Sequence, residues 1–241
     1  MIIDAVSSRA SEPHVIGLTW YGHACFRLET AELALVTDPY TPADAGLEPI
    51  REPADAVVMS SALDTAHSYA AGVPGSPQVF NALEYTGRRT EILDGVVLEA
   101  VAASEGSDRP DDPKANALYR LELDGLAVCH MGDVGTPLSD EQLAPLRGRV
   151  DVLLALAGGG LTIPLAALHE AIAEIAPRVV VPMHYATPSL RYSVGPVDDF
   201  LAPYAPEQVV RHQSSTLELD GVGGGPVIHV LRPLLDPAAA R

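Results

Sequence analysis

Three polar residues follow three apolar runs of the sequence that are typical of buried strands. Asp64 follows residues 56–60, Asp133 follows residues 126–131, and His184 follows residues 179–183. Because strand ends in layered α/β folds meet at one edge of a sheet, these side chains are candidates for a shared site. Carboxylates and imidazoles can hold a divalent ion or move protons. Taken singly, each residue also has a structural explanation, since aspartates cap helices and turns.

The elements that must position these residues are mostly short strands. Alternating or continuous apolar patterns predict strands at residues 15–20, 24–29, 33–37, 56–60, 96–101, 117–123, 126–131, 151–156 and 179–183. Asp124 and Gly125 separate two of these runs and predict a tight hairpin turn between them. The glycine run 223–225 predicts another hairpin turn, within a final pair of strands.

Two helices are predicted in the second half of the chain. Ser139 can cap the first helix, with Gln142 three residues further on completing a capping box. Pro164 opens the second helix, whose apolar residues follow helical spacing, and Pro177 closes it. The order of elements predicts an α/β fold of two sheets packed face to face with helices outside. No linker divides the chain, so we expect a single domain over residues 1–241, with frayed tails at 1–13 and 237–241.

Composition and charge restrict the classes of partner. The chain has 241 residues, of which 47% are hydrophobic, which is enough for one large core. Acidic residues outnumber basic ones by 32 to 15, so a nucleic-acid backbone would be repelled. No apolar stretch is long enough for a membrane span, and residues 1–13 do not resemble a secretion signal. We therefore expect a cytoplasmic protein with a small-molecule ligand or substrate and two reduced thiols, Cys25 and Cys129.

Four ordered segments of the sequence resemble one known family. They are Leu18-Thr19-Trp20-Tyr21-Gly22-His23-Ala24, Leu35-Val36-Thr37-Asp38-Pro39, His130-Met131-Gly132-Asp133 and Val181-Pro182-Met183-His184-Tyr185. In order and spacing they are similar to the metallo-β-lactamase superfamily, and most of all to its ascorbate-6-phosphate lactonase-like branch of metal-dependent hydrolases. The resemblance implies a four-layer αβ/βα sandwich with a metal centre at one edge of the two sheets.

The resemblance also implies where metal ligands should lie. Family members hold two metals, usually zinc, through a His-x-His-x-Asp-His segment, a further histidine, a bridging aspartate and a last histidine. Here the three histidine places of that segment hold Ser60, Ala62 and Thr65, and only Asp64 matches. The further histidine is missing from residues 101–105. The motif is therefore degenerate.

Asp133 and His184 match the bridging aspartate and the last histidine. With Asp64 they form an oxygen-rich set that could hold at most one divalent metal, zinc or else manganese or iron, and the alternative is that no metal is bound. Asp64 would either bind the ion or act as general base on its water. His23 matches a Gly-His pair near the family's site, which implies a catalytic role in orienting a neighbouring group; a purely structural histidine is the alternative.

Two other residues near these positions are expected to lie outside the site. If a helix begins near Asp64, as the resemblance implies, His67 sits almost a turn further and need not face the metal. Glu105 could add an oxygen ligand, but the polar run 104–114 favours a solvated loop acid. The remaining histidines form no constellation in the sequence and are predicted to be structural or on the surface: His14, His130, His169, His212 and His229.

Two functions from different classes follow from these residues. The first is a divergent hydrolase with at most one metal and weak activity toward a small ester, lactone or phosphate ester. The second is a non-catalytic, metal-free binding or regulatory protein that retains the fold. A serine hydrolase based on Ser60 or Ser61 ranks last, because the Gly-x-Ser-x-Gly elbow is missing. Restoring histidines at positions 60, 62 and 65 should raise metal uptake if the backbone geometry is retained.

Overall fold

Strands dominate the fold, as shown by a computed structural model that describes residues 15–62, 65–105, 115–220 and 224–239. The strands are β1 (Ile16–Gly22), β2 (Cys25–Glu29), β3 (Ala34–Thr37), β4 (Ala56–Met59), β5 (Gln78–Asn81), β6 (Arg89–Leu93), β7 (Val96–Ser104), β8 (Ala115–Leu123), β9 (Leu126–His130), β10 (Val152–Leu156), β11 (Val179–Met183), β12 (Val209–Arg211), β13 (Thr216–Leu219) and β14 (Val227–Val230). The helices are α1 (Pro42–Ala45), α2 (Asp140–Leu143), α3 (Leu165–Ile175) and α4 (Val197–Leu201).

The strands form two sheets with a mixture of parallel and antiparallel pairs. The first sheet has the order β13-β1-β2-β3-β4-β5 and is parallel only from β3 to β5. The second has the order β12-β14-β11-β10-β9-β8-β7-β6 and is parallel from β12 to β9. Parallel neighbours end at the same edge of a sheet. The loops that follow β3 and β4 therefore lie at one edge of the first sheet. The loops that follow β9, β10 and β11 likewise lie at one edge of the second sheet.

One hydrophobic core joins the two sheets. On β1 the alternating residues Ile16, Leu18 and Trp20 are fully buried, and they belong to the same cluster as Leu98 of β7 and Leu121 of β8. Side chains that alternate along a strand point to opposite faces, so β1 turns one face toward the second sheet. The sheets therefore pack face to face.

The outer faces are covered by helices and loops. On the first sheet, Cys25, Val36 and Val57 form a second cluster with Tyr40 and Leu47, which flank α1. On the second sheet, α3 buries the side chains on one stripe of its surface, as its spacing predicts. The layers thus run helix, sheet, sheet, helix, and the predicted four-layer sandwich is confirmed. None of the helices in the described residues is long and apolar enough to cross a membrane.

Local sequence signals are confirmed at three places. Asp124 (φ 45°) and Gly125 (φ 77°) form the turn between β8 and β9, as a two-residue hairpin requires. Ser139 and Gln142 form both halves of the capping box of α2. Helix α3 begins directly after Pro164 and ends at Ile175, with Ala176 as its C-cap directly before Pro177.

The predicted hairpin at the glycine run is wrong. Strand β13 pairs with β1 in the first sheet, whereas β14 pairs with β11 and β12 in the second. The chain passes from one sheet to the other here, with Gly223 itself outside the described residues. The predicted tail 1–13 also lies outside them. In the other predicted tail, the amides of Ala238 and Ala239 donate to the Asp236 carboxylate; that residues 237–241 are frayed stays a prediction.

Candidate metal centre

Loops from both sheets meet at one edge of the sandwich. His23 lies between β1 and β2, and Asp38 follows β3, both in the first sheet. Asp133 and His184 come from the second sheet, after β9 and β11. The backbone carbonyl of His23 accepts hydrogen bonds from the His184 amide (2.9 Å) and from the indole Nε1 of Trp20 (3.0 Å). The bond from His184 joins the loops of the two sheets, whereas the bond from Trp20 lies within the first sheet.

Three residues at this edge have strained backbones. His23, Asp38 and His184 have φ values of 53°, 40° and 56°, in the left-handed region that side chains with a Cβ rarely adopt. Such strain costs on the order of 1 to 3 kcal/mol per residue and persists only where the surrounding structure fixes it. Strained residues concentrate at functional sites, and here three of them meet at one sheet edge.

The centre itself is a cluster of three buried histidines beside one carboxylate. One ring nitrogen from each of His23, His67 and His184 lies within 4.8 Å of the others. The ring centroids of His23 are 4.1 Å from those of His184 and 4.8 Å from those of His67. The Asp133 carboxylate is 3.4 Å from Nε2 of His184 and 3.5 Å from Nε2 of His67. Asp133 is 21% exposed, so the cluster reaches solvent on the carboxylate side.

A second carboxylate, Asp38, lies below the cluster and is fully buried. Its Oδ2 is 3.1 Å from Nδ1 of His67 and accepts the Ser60 hydroxyl at 2.5 Å. Its Oδ1 accepts the Ser60 amide at 2.9 Å and the Tyr119 hydroxyl at 3.0 Å. Burial alone would raise the pKa of Asp38, but the nearby His130 imidazole and the bonds from His67 and Ser60 outweigh it and lower the pKa. Asp38 is therefore an ionised carboxylate held by fixed donors.

Asn116 connects Ser60, and through it Asp38, to the loop that carries Asp133. Its side-chain nitrogen donates to the Ser60 hydroxyl (3.3 Å), and its side-chain oxygen accepts the Asp133 amide (3.2 Å). A continuous path of hydrogen bonds thus runs from Asp133 through Asn116 and Ser60 to Asp38.

Burial sets the protonation of the surrounding groups. It lowers the pKa of His23 well below its usual value, and repulsion from His184 and His67 lowers it further. The ring of His23 is therefore neutral at neutral pH. Burial also raises the pKa of Tyr119, and the Asp38 carboxylate adds to this, so the phenol stays a proton donor. His130 is held by the Ala24 carbonyl (2.8 Å) and the Gly132 amide (2.9 Å), which is the structural role expected for it.

The structure brings together two of the three predicted metal ligands, Asp133 and His184. His23, predicted as a catalytic residue, lies against them. Asp64, predicted as both ligand and catalytic residue, lies outside the described residues. The expectation that His67 lies away from the site is wrong, since its side chain is fully buried beside His23 and His184.

The reason for the error at His67 is the local backbone. Residues 65–67 form a turn rather than the first turn of a helix, and the Thr65 carbonyl accepts the Thr41 amide at 2.8 Å. The turn leaves Ala62 and Thr65 exposed and buries His67. One sequence signal was available, namely a histidine three residues beyond Asp64 in a segment that had lost its usual histidines.

Glu105 also differs from expectation. It was predicted to be a solvated loop acid, yet its side chain is only 7% exposed. Strand β7 continues to Ser104, whose carbonyl accepts the amide of Gly135 at 3.0 Å. This bond draws the end of β7 against the loop that follows Asp133 and removes Glu105 from solvent.

The donor set fits a divalent transition metal. This set of three imidazoles and one carboxylate contains more nitrogen donors than the predicted set of Asp64, Asp133 and His184. Because imidazole suits zinc and carboxylate suits manganese, the observed set favours zinc. Donors at zinc–nitrogen distances of about 2.0 to 2.1 Å in a tetrahedron are about 3.4 Å apart. The histidine nitrogens, which lie within 4.8 Å of one another, must therefore approach by up to about 1.4 Å to bind a common ion. No lysine or arginine appears among the contacts of these four side chains in the part of the chain that the structure describes.

Comparison with known proteins agrees with this geometry. Residues 17–184 match the beta-lactamase superfamily domain. A UPF0173 protein of Pyrococcus abyssi is 28% identical to this chain over 187 residues. The match covers 70% of this chain and 83% of the relative's length. A UPF0173 metal-dependent hydrolase of Anaeromyxobacter sp. strain K is 29% identical to this chain over 205 residues. The match covers 70% of this chain and 74% of the relative's length.

A solved structure gives the same result. It comes from Thermotoga maritima, is described as a candidate Zn-dependent hydrolase of the metallo-beta-lactamase superfamily, and is 30% identical to this chain. The TM-score is 0.70, with 90% of this chain and 98% of the other covered. The chain therefore belongs to the beta-lactamase superfamily and has the metallo-β-lactamase fold. Its relatives are named metal-dependent hydrolases.

Proposed function

We propose that this protein is a hydrolase that uses one divalent metal ion, with zinc as the preferred metal. The observation that carries the proposal is the group of three buried histidines with ligand atoms within 4.8 Å of one another. Asp133 lies against two of them and supplies the carboxylate that completes the set. The ligands are therefore His23, His67, His184 and Asp133, of which His67 is displaced from the family's motif.

The residues have separate roles in this proposal. A divalent ion supplies Lewis acidity and lowers the pKa of a water toward neutrality. His23, His67 and His184 fix the position of that ion from the buried side. Asp133 faces the exposed side, where a substrate enters. Asp64 remains the proposed proton acceptor of the attacking water.

The proposal includes one ion rather than the family's usual two, because the motif is degenerate. The place of its first histidine is held by Ser60, whose hydroxyl is bonded to Asp38 and Asn116. Ala62 offers no donor, and Thr65 is exposed with a neutral hydroxyl that is a poor ligand. At the described positions of this segment, the histidines that would hold a second ion are thus missing.

We propose a small ester, lactone or phosphate ester as substrate, in line with the resemblance to the ascorbate-6-phosphate lactonase-like branch. Nucleic acid is disfavoured because the chain carries a formal net charge of -17. A cytoplasmic location and a single domain belong to the same proposal.

The test is metal analysis followed by activity. Protein purified without chelator is analysed for zinc, manganese and iron, and is then assayed against a panel of aryl esters, lactones and aryl phosphates. We expect close to one zinc per chain and hydrolysis that EDTA abolishes. H184Q should lose most of its bound zinc and most of its hydrolytic activity. The matched control is H169Q, because His169 bonds to the Phe200 carbonyl and takes no part in the centre.

The metal-free binding protein remains the rival function. Protein that holds no metal, takes up none from added zinc or manganese, and hydrolyses nothing in the panel would favour it. Equal metal content in H184Q and the wild type would exclude the ligand set proposed here.

A further inference from the structure

We infer that strand β5 is an interaction surface at which a second copy of this chain pairs. Strand β5 is the last strand of the first sheet, and none of the described strands lies on its other side. Its sequence is Gln78-Val79-Phe80-Asn81, and the side chain of Val79 is 52% exposed. None of these residues belongs to the candidate metal centre, so the inference goes beyond the proposed function.

The outer edge of β5 presents backbone groups that another strand can bind. The Gln78 amide donates to the carbonyl of Asp55, directly before β4, at 2.9 Å. In a parallel strand, the amide and carbonyl of one residue point to the same side, and this side alternates from residue to residue. The amide and carbonyl of Val79 therefore point away from β4. An added antiparallel strand would satisfy both of them.

The lack of charge distinguishes β5 from the other edge strands. Charged side chains on an edge strand usually prevent it from pairing with another chain. The other three edges carry such charges, with Arg89 and Glu91 on β6, Arg211 on β12 and Glu218 on β13. Residues 68–83, which include β5, contain no acidic or basic side chain. Among the edges that the structure describes, β5 is thus the one without this protection.

The overall charge favours a second copy at this uncharged edge. Two copies of a chain with a formal net charge of -17 repel each other over most of their surfaces. The repulsion is smallest where both surfaces are uncharged, as they are along residues 68–83. A basic partner would instead be attracted to the acidic surface elsewhere on the molecule. The edge at β5 therefore fits a copy of itself.

A two-fold axis at Val79 makes the pairing self-complementary. Directly opposite residues of an antiparallel pair lie on the same face, so two identical strands related by symmetry place one residue opposite its own counterpart. With Val79 in that place, its amide and carbonyl exchange two hydrogen bonds with those of the counterpart. The same register places the Asn81 amide opposite the carbonyl of Pro77, a residue that has no amide hydrogen to donate.

Apolar side chains beside Val79 add to this surface. Val79 pairs with Val57 of the outer apolar cluster, so it lies on the outer face of the sheet. It borders a groove of about 420 Å³ that is also lined by Ala70, Val73 and Pro74. Pairing would bring Val79 and its counterpart together beside the two grooves. A four-residue strand buries less than the roughly 1,200 Å² of a standard interface, so the dimer should be weak and depend on concentration.

Sedimentation equilibrium of the full chain over a hundredfold range of concentration tests the inference. We expect the wild type to form dimers reversibly, and more of them at higher salt, because salt screens the net charge. V79K should raise the dissociation constant at least about 10-fold, since two like charges would face each other across the axis. The matched control is V210K, because Val210 is 40% exposed on the edge strand β12. It should form dimers like the wild type.

A cysteine variant tests the register without adding charge. In V79C the two Cα atoms across the axis would be about 5.5 Å apart, which is within the range of a disulfide. Oxidised glutathione should therefore convert V79C to a covalent dimer on a non-reducing gel. V210C should remain monomeric on that gel. The natural cysteines, Cys25 and Cys129, are both buried and should not cross-link.

Each outcome supports the inference or overturns it. A wild type that stays monomeric at every concentration and salt would overturn it, as would a V79K dimer as stable as that of the wild type. Failure of V79C to cross-link would exclude the pairing at Val79, and this result decides the matter if V79K does not fold. Neither experiment involves metal or hydrolysis, so the proposed function stands or falls separately.

Discussion

Gly132 allows the loop after β9 to lie directly against Asn116 and Ser60, beside the candidate metal centre. Its φ is 61°, and a Cβ at this position would lie 2.4 Å from the Asn116 side-chain oxygen and 2.8 Å from both the Ala117 carbonyl and Cβ of Ser60. Two of these neighbours belong to the path of hydrogen bonds that joins Asp133 to Asp38. A side chain at position 132 would therefore disturb Asp133, the proposed ligand that follows it.

We expect Gly132→Ala to lower the free energy of unfolding by about 2 to 5 kcal/mol. Backbone strain contributes roughly 1 to 2 kcal/mol, and overpacking against backbone and side chain contributes about 1 to 3 kcal/mol. Urea denaturation measures the loss. Gly125→Ala is the matched control, since Gly125 also has a positive φ, 77°, but no atom within 4 Å of the added Cβ. It should lose only the strain, and equal losses in the two variants would contradict the packing argument.

Ser60 shows why restoring a family ligand should fail here. The residue is fully buried, and Asp38, Asn116 and Gly132 occupy the space around it. We expect Ser60→His to destabilise the fold by at least about 2 kcal/mol and to add no second metal per chain. Ala62→His is the control, because Ala62 is exposed and should accept the larger side chain. Uptake of a second zinc by the Ser60→His variant would show that the centre can still open for two ions.

At the level of elements, the sequence predicted the strands that are buried and missed strands that are largely exposed. Strands in the sheet interiors bury one or both faces, so β1, β9, β10 and β11 carry apolar patterns that predict them. Three strands gave no such signal, and each lies at an edge of its sheet: β5, β6 and β12. Their side chains are largely exposed or half-buried, because an edge strand pairs on one side only.

The sequence predicted the position of a site residue only where that residue directly follows a strand. Asp133 and His184 follow apolar strands, so their positions could be inferred from local pattern. The position of His67 depends on a turn closed by a backbone bond between Thr41 and Thr65 and on contact with Asp38, which is 29 residues away in sequence. Such long-range contacts leave no periodic trace in the sequence.

The last strands carry a pair of histidines that makes stability depend on pH. Nε2 of His212 lies 2.8 Å from Nδ1 of His229, beside the parallel pair β12 and β14. Burial lowers the pKa of His229, and repulsion from His212 lowers it further. Between that lowered value and the usual value of about 6.5, the unfolded chain binds more protons than the folded one. Stability therefore rises with pH across this window.

We expect the free energy of unfolding to fall as the pH is lowered from about 7.5 to about 5.5, and to fall less steeply in His229→Gln. The buried His23 and His130, whose pKa values are also lowered, contribute in the same direction in both proteins. Urea denaturation at each pH measures the difference. The control His169→Gln should keep the steep wild-type dependence, and an identical slope in His229→Gln would show that the pair does not contribute.

On the scale of the whole molecule, the candidate metal centre lies between the two sheets. His23 and Asp38 come from the first sheet, and Asp133 and His184 come from the second. An ion held by residues of both sheets would join them at the edge where their loops meet. The net charge of -17 also raises the concentration of cations around the molecule. Metal binding should therefore stabilise the entire fold rather than one loop.

The size of that stabilisation can be estimated from mass action. A ligand that binds only the folded state at 100 times its Kd adds about 2.7 kcal/mol, which for a chain of this size raises Tm by roughly 5 to 10 °C. We expect EDTA to lower Tm of protein purified without chelator and excess zinc to restore it. His184→Gln should respond far less to either treatment, because it lacks one ligand, whereas His169→Gln should respond like the wild type. A wild-type Tm that neither EDTA nor zinc changes would mean that the two carboxylates and three histidines are balanced without an ion, as the metal-free binding protein requires.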